Sequence, residues 1–303
     1  MKKIDPGKLR AVVVYFATPS EQVRAGFRFA MHSYGIHHER IFAGIAELTN
    51  AIKASPPDLL IVDADLGPTA FDLVHDIRHF KLGRNPFLII SMMVDAQTEG
   101  TAKRAILAGA DDVIIKPVAP GMLLDRVTYF AMHRLPFIAT SDYIGPERRR
   151  AGDSRPSQIK HLNVVNTLKA KIEGIRLSMA DLDRAVKGNI DEVMAARLDS
   201  NGLKLGSVCR LILRAYEEER VDKNVEGLLQ MLVDVLEEAA RTARSIGDTE
   251  LSRICANLAH QVEDMMENYE KPTSGQFSTI QKLTTVFDLA KTSKVGPSTS
   301  ARE

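Results

Sequence analysis

Two side chains of opposite charge follow apolar runs that are typical of β-strands. Asp63 ends the run Leu59-Leu60-Ile61-Val62, and Lys116 follows Val113-Ile114-Ile115. The carboxyl ends of the strands in an open parallel sheet lie along one edge, and such sheets bind ligands and carry out chemistry there. The sequence therefore predicts that the carboxylate of Asp63 and the ammonium group of Lys116 share one crevice.

The elements that must position these two groups alternate along the first half of the chain. Short β-rich apolar runs are separated by segments whose apolar residues recur three and four positions apart, and this pattern is typical of βα units around a parallel sheet. We predict an α/β fold, a compact (βα)5 domain with a doubly wound parallel sheet. Its five expected strands are residues 11–16, 40–42, 59–62, 87–90 and 113–115.

Three segments of this half resemble a known family. Residues 57–63, 85–91 and 108–117 are similar to the matching parts of the receiver (CheY-like) domain of two-component response regulators. The resemblance covers residues 8–135. It implies the receiver fold and a part in bacterial two-component signalling.

The resemblance also implies a role for three side chains. Asp63 would be the phosphoacceptor, which attacks a phosphohistidine of a partner kinase and forms an aspartyl phosphate. Lys116 would pair with that carboxylate and then with the phosphoryl oxygens, and the hydroxyl of Ser91 would turn toward the phosphoryl group. Taken singly, Asp63 could instead cap the next helix, Lys116 could be a solvated loop charge, and Ser91 an ordinary serine.

One part of the receiver pattern is missing. Receivers that phosphorylate well carry two adjacent acidic residues after the first strand, because Mg²⁺ prefers several oxygen ligands. Residues 15–20 here read Tyr-Phe-Ala-Thr-Pro-Ser. Asp63 and Asp65 are then the metal ligands that we expect, and Mg²⁺ binding should be weak. An atypical receiver that signals by binding, without phosphate chemistry, is the resulting hypothesis.

The second half has a different character. We predict a linker at 136–158, an all-α helix-bundle output domain at 159–290 and a disordered tail at 291–303. Asn189, Asp222 and the turn at residues 247–249 are expected to separate helices. Cys209 and Cys255 lie among apolar neighbours, and we interpret them as buried core residues.

Composition excludes several classes of function. Lys and Arg total 40 against 39 for Asp and Glu, so no global basic field attracts nucleic acid or a membrane surface. We find neither a signal peptide nor a membrane-spanning run, and we expect a cytoplasmic protein. The second half carries no motif of an enzyme and no short basic helix-turn-helix, so we expect neither catalysis nor transcriptional output.

Two main hypotheses of function follow. In the first, the chain is a response regulator whose receiver controls the binding of the helical bundle to a target protein or to a second copy of the chain. In the second, it is a phosphorelay intermediate between a histidine kinase and a phosphotransfer protein. Nucleic-acid binding by the bundle is a third, disfavoured by its acidic helices.

Overall fold

The computed structural model describes residues 6–148 and 159–294, which belong to two compact units. Of the described residues, the first unit contains 6–138, 143–148 and 159–193, and the second contains 139–142 and 194–294. These bounds differ from the expected ones, in which the bundle begins at 159. The reason is that Leu168 and Ile172, expected in the bundle, are buried in the core of the first unit.

A five-stranded parallel sheet forms the centre of the first unit. The strand order is β2-β1-β3-β4-β5, the doubly wound order of flavodoxin-like folds, and the predicted (βα)5 fold is confirmed. The strands are β1 Val13–Ala17, β2 His38–Phe42, β3 Leu59–Asp63, β4 Ile89–Asp95 and β5 Asp112–Lys116.

Helices cover both faces of this sheet. Successive residues of a strand point to opposite faces, so both faces need apolar residues to be buried. On one face Leu60 and Val62 pack in a core with the helices at 45–54 and 69–78, and on the other Ile61 packs in a core with the helices at 21–33, 120–132 and 167–172. The helices of the first unit are α1 Pro6–Leu9, α2 Glu21–Ser33, α3 Ile45–Ala54, α4 Thr69–Arg78, α5 Thr101–Leu107, α6 Pro120–Met132 and α7 Thr167–Ile172.

The region expected to be a linker contains regular structure. Strands β6 Phe137–Ala139 and β7 Ile144–Pro146 form a two-stranded sheet. Phe137 and Ile144 are buried, so this segment packs against the protein instead of crossing solvent. Residues 149–158, the rest of the expected linker, lie outside the described residues.

The second unit is helical, as predicted. Its helices are α8 Met179–Glu217, which begins in the first unit, α9 Lys223–Ser245, α10 Thr249–Met266 and α11 Ser274–Lys294. Asp222 caps α9 and Asp248 caps α10 by accepting backbone hydrogen bonds, so both predicted separators are confirmed. Asn189 lies inside α8, so the prediction that it separates helices is wrong. Its side chain does not cap a helix here but accepts a hydrogen bond from the backbone nitrogen of Val165.

The core of the second unit consists of apolar residues from all four helices. Cys209 and Cys255 are free thiols and are buried, as predicted. Of the expected tail, residues 291–294 extend α11 and residues 295–303 lie outside the described residues. None of the helices in the described parts of the chain has both the length and the apolar character that a membrane span requires.

Candidate functional site

Asp63 is the centre of the candidate site. It is the last residue of β3, the middle strand of the sheet, and only 3% of its surface is exposed. Its Oδ1 accepts hydrogen bonds from the backbone nitrogen of Asp65 at 3.1 Å and from Lys116 Nζ at 3.0 Å. The predicted meeting of Asp63 and Lys116 at one edge of the sheet is therefore confirmed. The hydrogen bond from Asp65 also makes Asp63 the cap of a short 3-10 helix, Ala64–Leu66.

Lys116 bridges two carboxylates. Its Nζ lies 3.0 Å from Asp63 Oδ1 and 2.6 Å from Asp65 Oδ2. Burial lowers the pKa of Lys116, but the hydrogen bonds and charges of Asp65 and Asp63 outweigh this effect, so that the pKa is raised above its ordinary value. The ammonium group is thus held in its charged form between the two acids.

Thr18 is a third member of the site, and sequence reasoning missed it. Its Oγ1 donates a hydrogen bond of 2.7 Å to Asp63 Oδ2, and the residue is fully buried. Thr18 immediately follows β1, which pairs directly with β3. A hydroxyl residue at the carboxyl end of the neighbouring strand was the available signal. Its backbone is fixed by hydrogen bonds from Thr18 N to Phe42 O and from Arg24 Nη1 to Thr18 O.

Ser91 does not lie beside Asp63. The strand register places Met93 opposite Asp63 and Ser91 opposite Ile61. Ser91 is therefore two residues short of the edge, a distance of roughly 7 Å along the strand. Its hydroxyl is buried and has no hydrogen-bond partner within the described residues. The prediction that Ser91 acts on a group held by Asp63 is therefore wrong. The physical reason is that β4 does not end at Ser91 but continues through three buried residues, Met92, Met93 and Val94, to Asp95.

The residues of this centre do not fit a Mg²⁺ site. Both carboxylate oxygens of Asp63 already accept hydrogen bonds, and Asp65 pairs with Lys116. After β1, where the receiver pattern has two acidic residues, Thr18 offers a neutral hydroxyl that donates its hydrogen to Asp63. No group of three or more acidic, histidine or cysteine side chains suited to a metal occurs among residues 6–148 and 159–294. Among the described residues, Lys116 is the cation that pairs with both acids.

A second buried network lies at the start of β5, the strand that ends in Lys116. Arg78 is fully buried, and its Nη2 donates to Asp111 Oδ2 at 2.6 Å while its Nε donates to the backbone oxygen of Gly109 at 2.8 Å. Burial lowers the pKa of Arg78 to about 10, although Asp111 counteracts it. Asp111 Oδ2 also accepts from Ile90 N. The network thus fixes the loop before β5 to the start of β4.

The segment around β7 packs on the same loop. Arg148 Nη2 donates to the backbone oxygens of Ala110 and Asp111, each at 2.7 Å. Gly109 has a φ of +95°, and a Cβ atom there would lie 2.6 Å from the backbone oxygen of Ile144. The Gly-Pro-Glu-Arg segment of residues 145–148 therefore has a structural role, since it packs against the loop before β5 and donates hydrogen bonds to it.

Comparison with known proteins supplies similar structures only. No protein-family model matches the chain, and no curated protein matches it. Among solved structures, a response regulator from Thermotoga maritima is 20% identical with a TM-score of 0.34, covering 39% of this chain and 95% of its own. The BeF3-activated DrrB receiver domain is 18% identical with a TM-score of 0.34, covering 39% and 96%. DrrB, a Thermotoga maritima OmpR/PhoB homolog, is 14% identical with a TM-score of 0.36, covering 61% and 89%.

These similar structures are response regulators and a receiver domain, the family that the sequence resembles. The strand order, the helices on both faces and the acid-lysine pair at the carboxyl edge define the first unit as receiver-like.

Proposed function

We propose that this protein is an atypical two-component response regulator whose receiver-like unit controls a protein-protein interaction made through the helical unit. One observation carries the proposal: a buried aspartate at the carboxyl end of the central strand is paired with a lysine from the last strand. The proposed partners are a target protein or a second copy of the chain for the helical unit, and a histidine kinase or phosphotransfer protein for the receiver-like unit. Its place of action would be the cytoplasm, and its role would be binding, without catalysis.

The atypical character concerns how the Asp63 centre works. A carboxylate that accepts three hydrogen bonds, one of them from an ammonium group, is satisfied without a metal ion. We therefore propose that Asp63 anchors the ends of β1, β3 and β5 in one arrangement. A partner protein would then bind the surface formed by the ends of these three strands, and this binding would not need a phosphoryl group on Asp63.

A phosphorelay intermediate is the second candidate function, and the Asp63-Lys116 pair favours it. In that reaction an oxygen of Asp63 attacks the phosphorus of a phosphohistidine, a new O–P bond forms, the N–P bond breaks, and the histidine nitrogen leaves. Lys116 would then neutralise charge on the transferred group. Attack through Asp63 Oδ2 would compete with the hydrogen bond that this oxygen accepts from Thr18.

Intact-mass spectrometry after incubation with acetyl phosphate and Mg²⁺ separates the two candidates. We expect no phosphoryl mass on the wild-type chain or on Asp63→Ala. Hydrogen exchange of the strand amides provides the control that each protein is folded. A phosphoryl mass on the wild type that Asp63→Ala lacks would contradict the binding mode and support the relay.

A further inference from the structure

A cavity of about 670 Å³ lies at the edge of the sheet opposite the Asp63 centre. It is formed at the amino ends of β1 and β3, by the turn before β3, by α7 and by the start of α8, and all of these parts belong to the first unit. Pockets that bind small organic ligands have volumes of roughly 300–1,000 Å³. The size therefore suits a small molecule.

Most of the lining of this cavity is apolar. Ile175, Leu177 and Met179 line it, and each leaves more than 40% of its surface exposed. Exposed apolar side chains that converge on one cavity are typical of a binding site, whereas single exposed ones are ordinary. An apolar ligand body would remove these three side chains from water.

The polar groups of the lining favour an anion. Lys171 Nζ lies 2.6 Å from Asp58 Oδ2, so those two charges compensate each other. Arg176 lines the cavity, is exposed, and has no ion-pair or hydrogen-bond partner within the described residues. The charge of the lining is thus positive by one unit, and it resides on Arg176.

An amide side chain also lines this cavity. Asn85 is 3% exposed and lines the cavity, and its Oδ1 accepts from the backbone nitrogen of Phe87 at 3.0 Å. Its Nδ2 donates to none of the residues that the structure describes. The side-chain amide nitrogen of Asn85 is therefore available to donate a hydrogen bond to a ligand in the cavity.

From these features we infer that the cavity binds a small organic anion with an apolar body, such as a medium-chain carboxylate. The anionic head group lies against the guanidinium of Arg176, which presents paired donors to planar anions. An acceptor atom of the ligand takes the free hydrogen bond of Asn85, and the apolar body covers Ile175, Leu177 and Met179. This site is separate from the Asp63 centre and goes beyond the proposed function.

Fluorescence titration of the full chain with anilinonaphthalene sulfonate, an apolar body with one anionic group, tests the inference. We expect saturable binding that decanoate displaces. Arg176→Glu should weaken binding about tenfold or more, because a charge-assisted hydrogen bond is lost and a repulsion is added. Ala170→Phe, which fills the cavity, should abolish it. Arg28→Glu, at an exposed arginine on α2 without a described partner, is the matched control and should bind like the wild type.

The dye also binds partly folded proteins, so the thermal midpoint of each variant is measured alongside. Equal binding by the wild type, Arg176→Glu and Ala170→Phe would overturn the inference, and so would an absence of binding by the folded wild type. Loss in Ala170→Phe with unchanged binding in Arg176→Glu would overturn the anionic part. Arg176 is at the surface, so its variant decides the question even if Ala170→Phe does not fold.

Discussion

Replacement of Thr18 by valine removes one hydroxyl group from the Asp63 centre and keeps the shape of the side chain. Valine is also β-branched, so the backbone preference after β1 is retained. In the wild type, Thr18 Oγ1 lies 2.7 Å from Asp63 Oδ2, and both residues are buried. The variant therefore leaves one carboxylate oxygen of Asp63 without its donor.

The size of the effect follows from that burial. A hydrogen bond to a charged group contributes about 1.5–3 kcal/mol to stability, and water cannot replace it at a buried position. We expect the free energy of opening of β1 and β3 to fall by about that amount. Each 1.4 kcal/mol corresponds to a tenfold change in an equilibrium constant, so amide exchange in these strands should be about 10- to 100-fold faster.

Hydrogen exchange followed by mass spectrometry measures the opening of each strand separately. This is needed because a chain of two units has no single free energy of unfolding, and the chain has no tryptophan to report unfolding by fluorescence. Peptides from β1 and β3 should exchange faster in Thr18→Val, and peptides from α9 should not change. Thr69→Val is the matched control, since Thr69 is exposed at the first turn of α4, and its effect should stay within about 0.5 kcal/mol. Equal exchange in the two variants would refute the assigned role of Thr18.

The remaining predictions concern packing outside the centre. Gly109→Ala should destabilise the first unit by about 1–3 kcal/mol or more in urea unfolding, because φ is +95° and the new Cβ meets the backbone oxygen of Ile144. Gly26→Ala, in α2 with nothing within 4 Å, should instead stabilise by about 0.5–1 kcal/mol, and the same sign for both variants would contradict this. Arg78→Met should cost about 3–5 kcal/mol in the same assay, because among the described residues Asp111 keeps only Arg134 as a cation and three buried backbone oxygens lose a donor, and a loss below 1 kcal/mol would count against this role. Burial raises the pKa of the Cys209 thiol to about 12, so Cys209 should react with a thiol reagent at neutral pH only after unfolding, and rapid labelling of the native chain would exclude this.

The elements that were predicted well are those with a local signal. Four of the five strands of the sheet contain an apolar run between loops, whereas β2 has only Ile41 and Phe42. The rule that parallel strands end at one edge was enough to bring Asp63 and Lys116 together. The turn between α9 and α10 also has a local signal: Gly247 adopts a positive φ, and Asp248 caps α10.

The features that were missed depend on register or on contacts distant in sequence. Thr18 gains its role only because β1 pairs with β3, and Ser91 loses its expected role because β4 extends four residues beyond it. The boundary between the units was misplaced because α7 looks like any amphipathic helix. Its burial against the first unit, through Leu168 and Ile172, is a property of the tertiary fold.

The central claim is that Thr18 and Lys116 satisfy Asp63 in place of a metal ion. Calorimetric titration of Mg²⁺ into the wild type, Thr18→Asp and Thr18→Asp/Asp63→Ala tests it directly. We predict no saturable Mg²⁺ binding by the wild type, and binding by Thr18→Asp that is lost in the double variant, because the second carboxylate completes an oxygen site around Asp63. Saturable binding by the wild type that Asp63→Ala alone abolishes would contradict the claim.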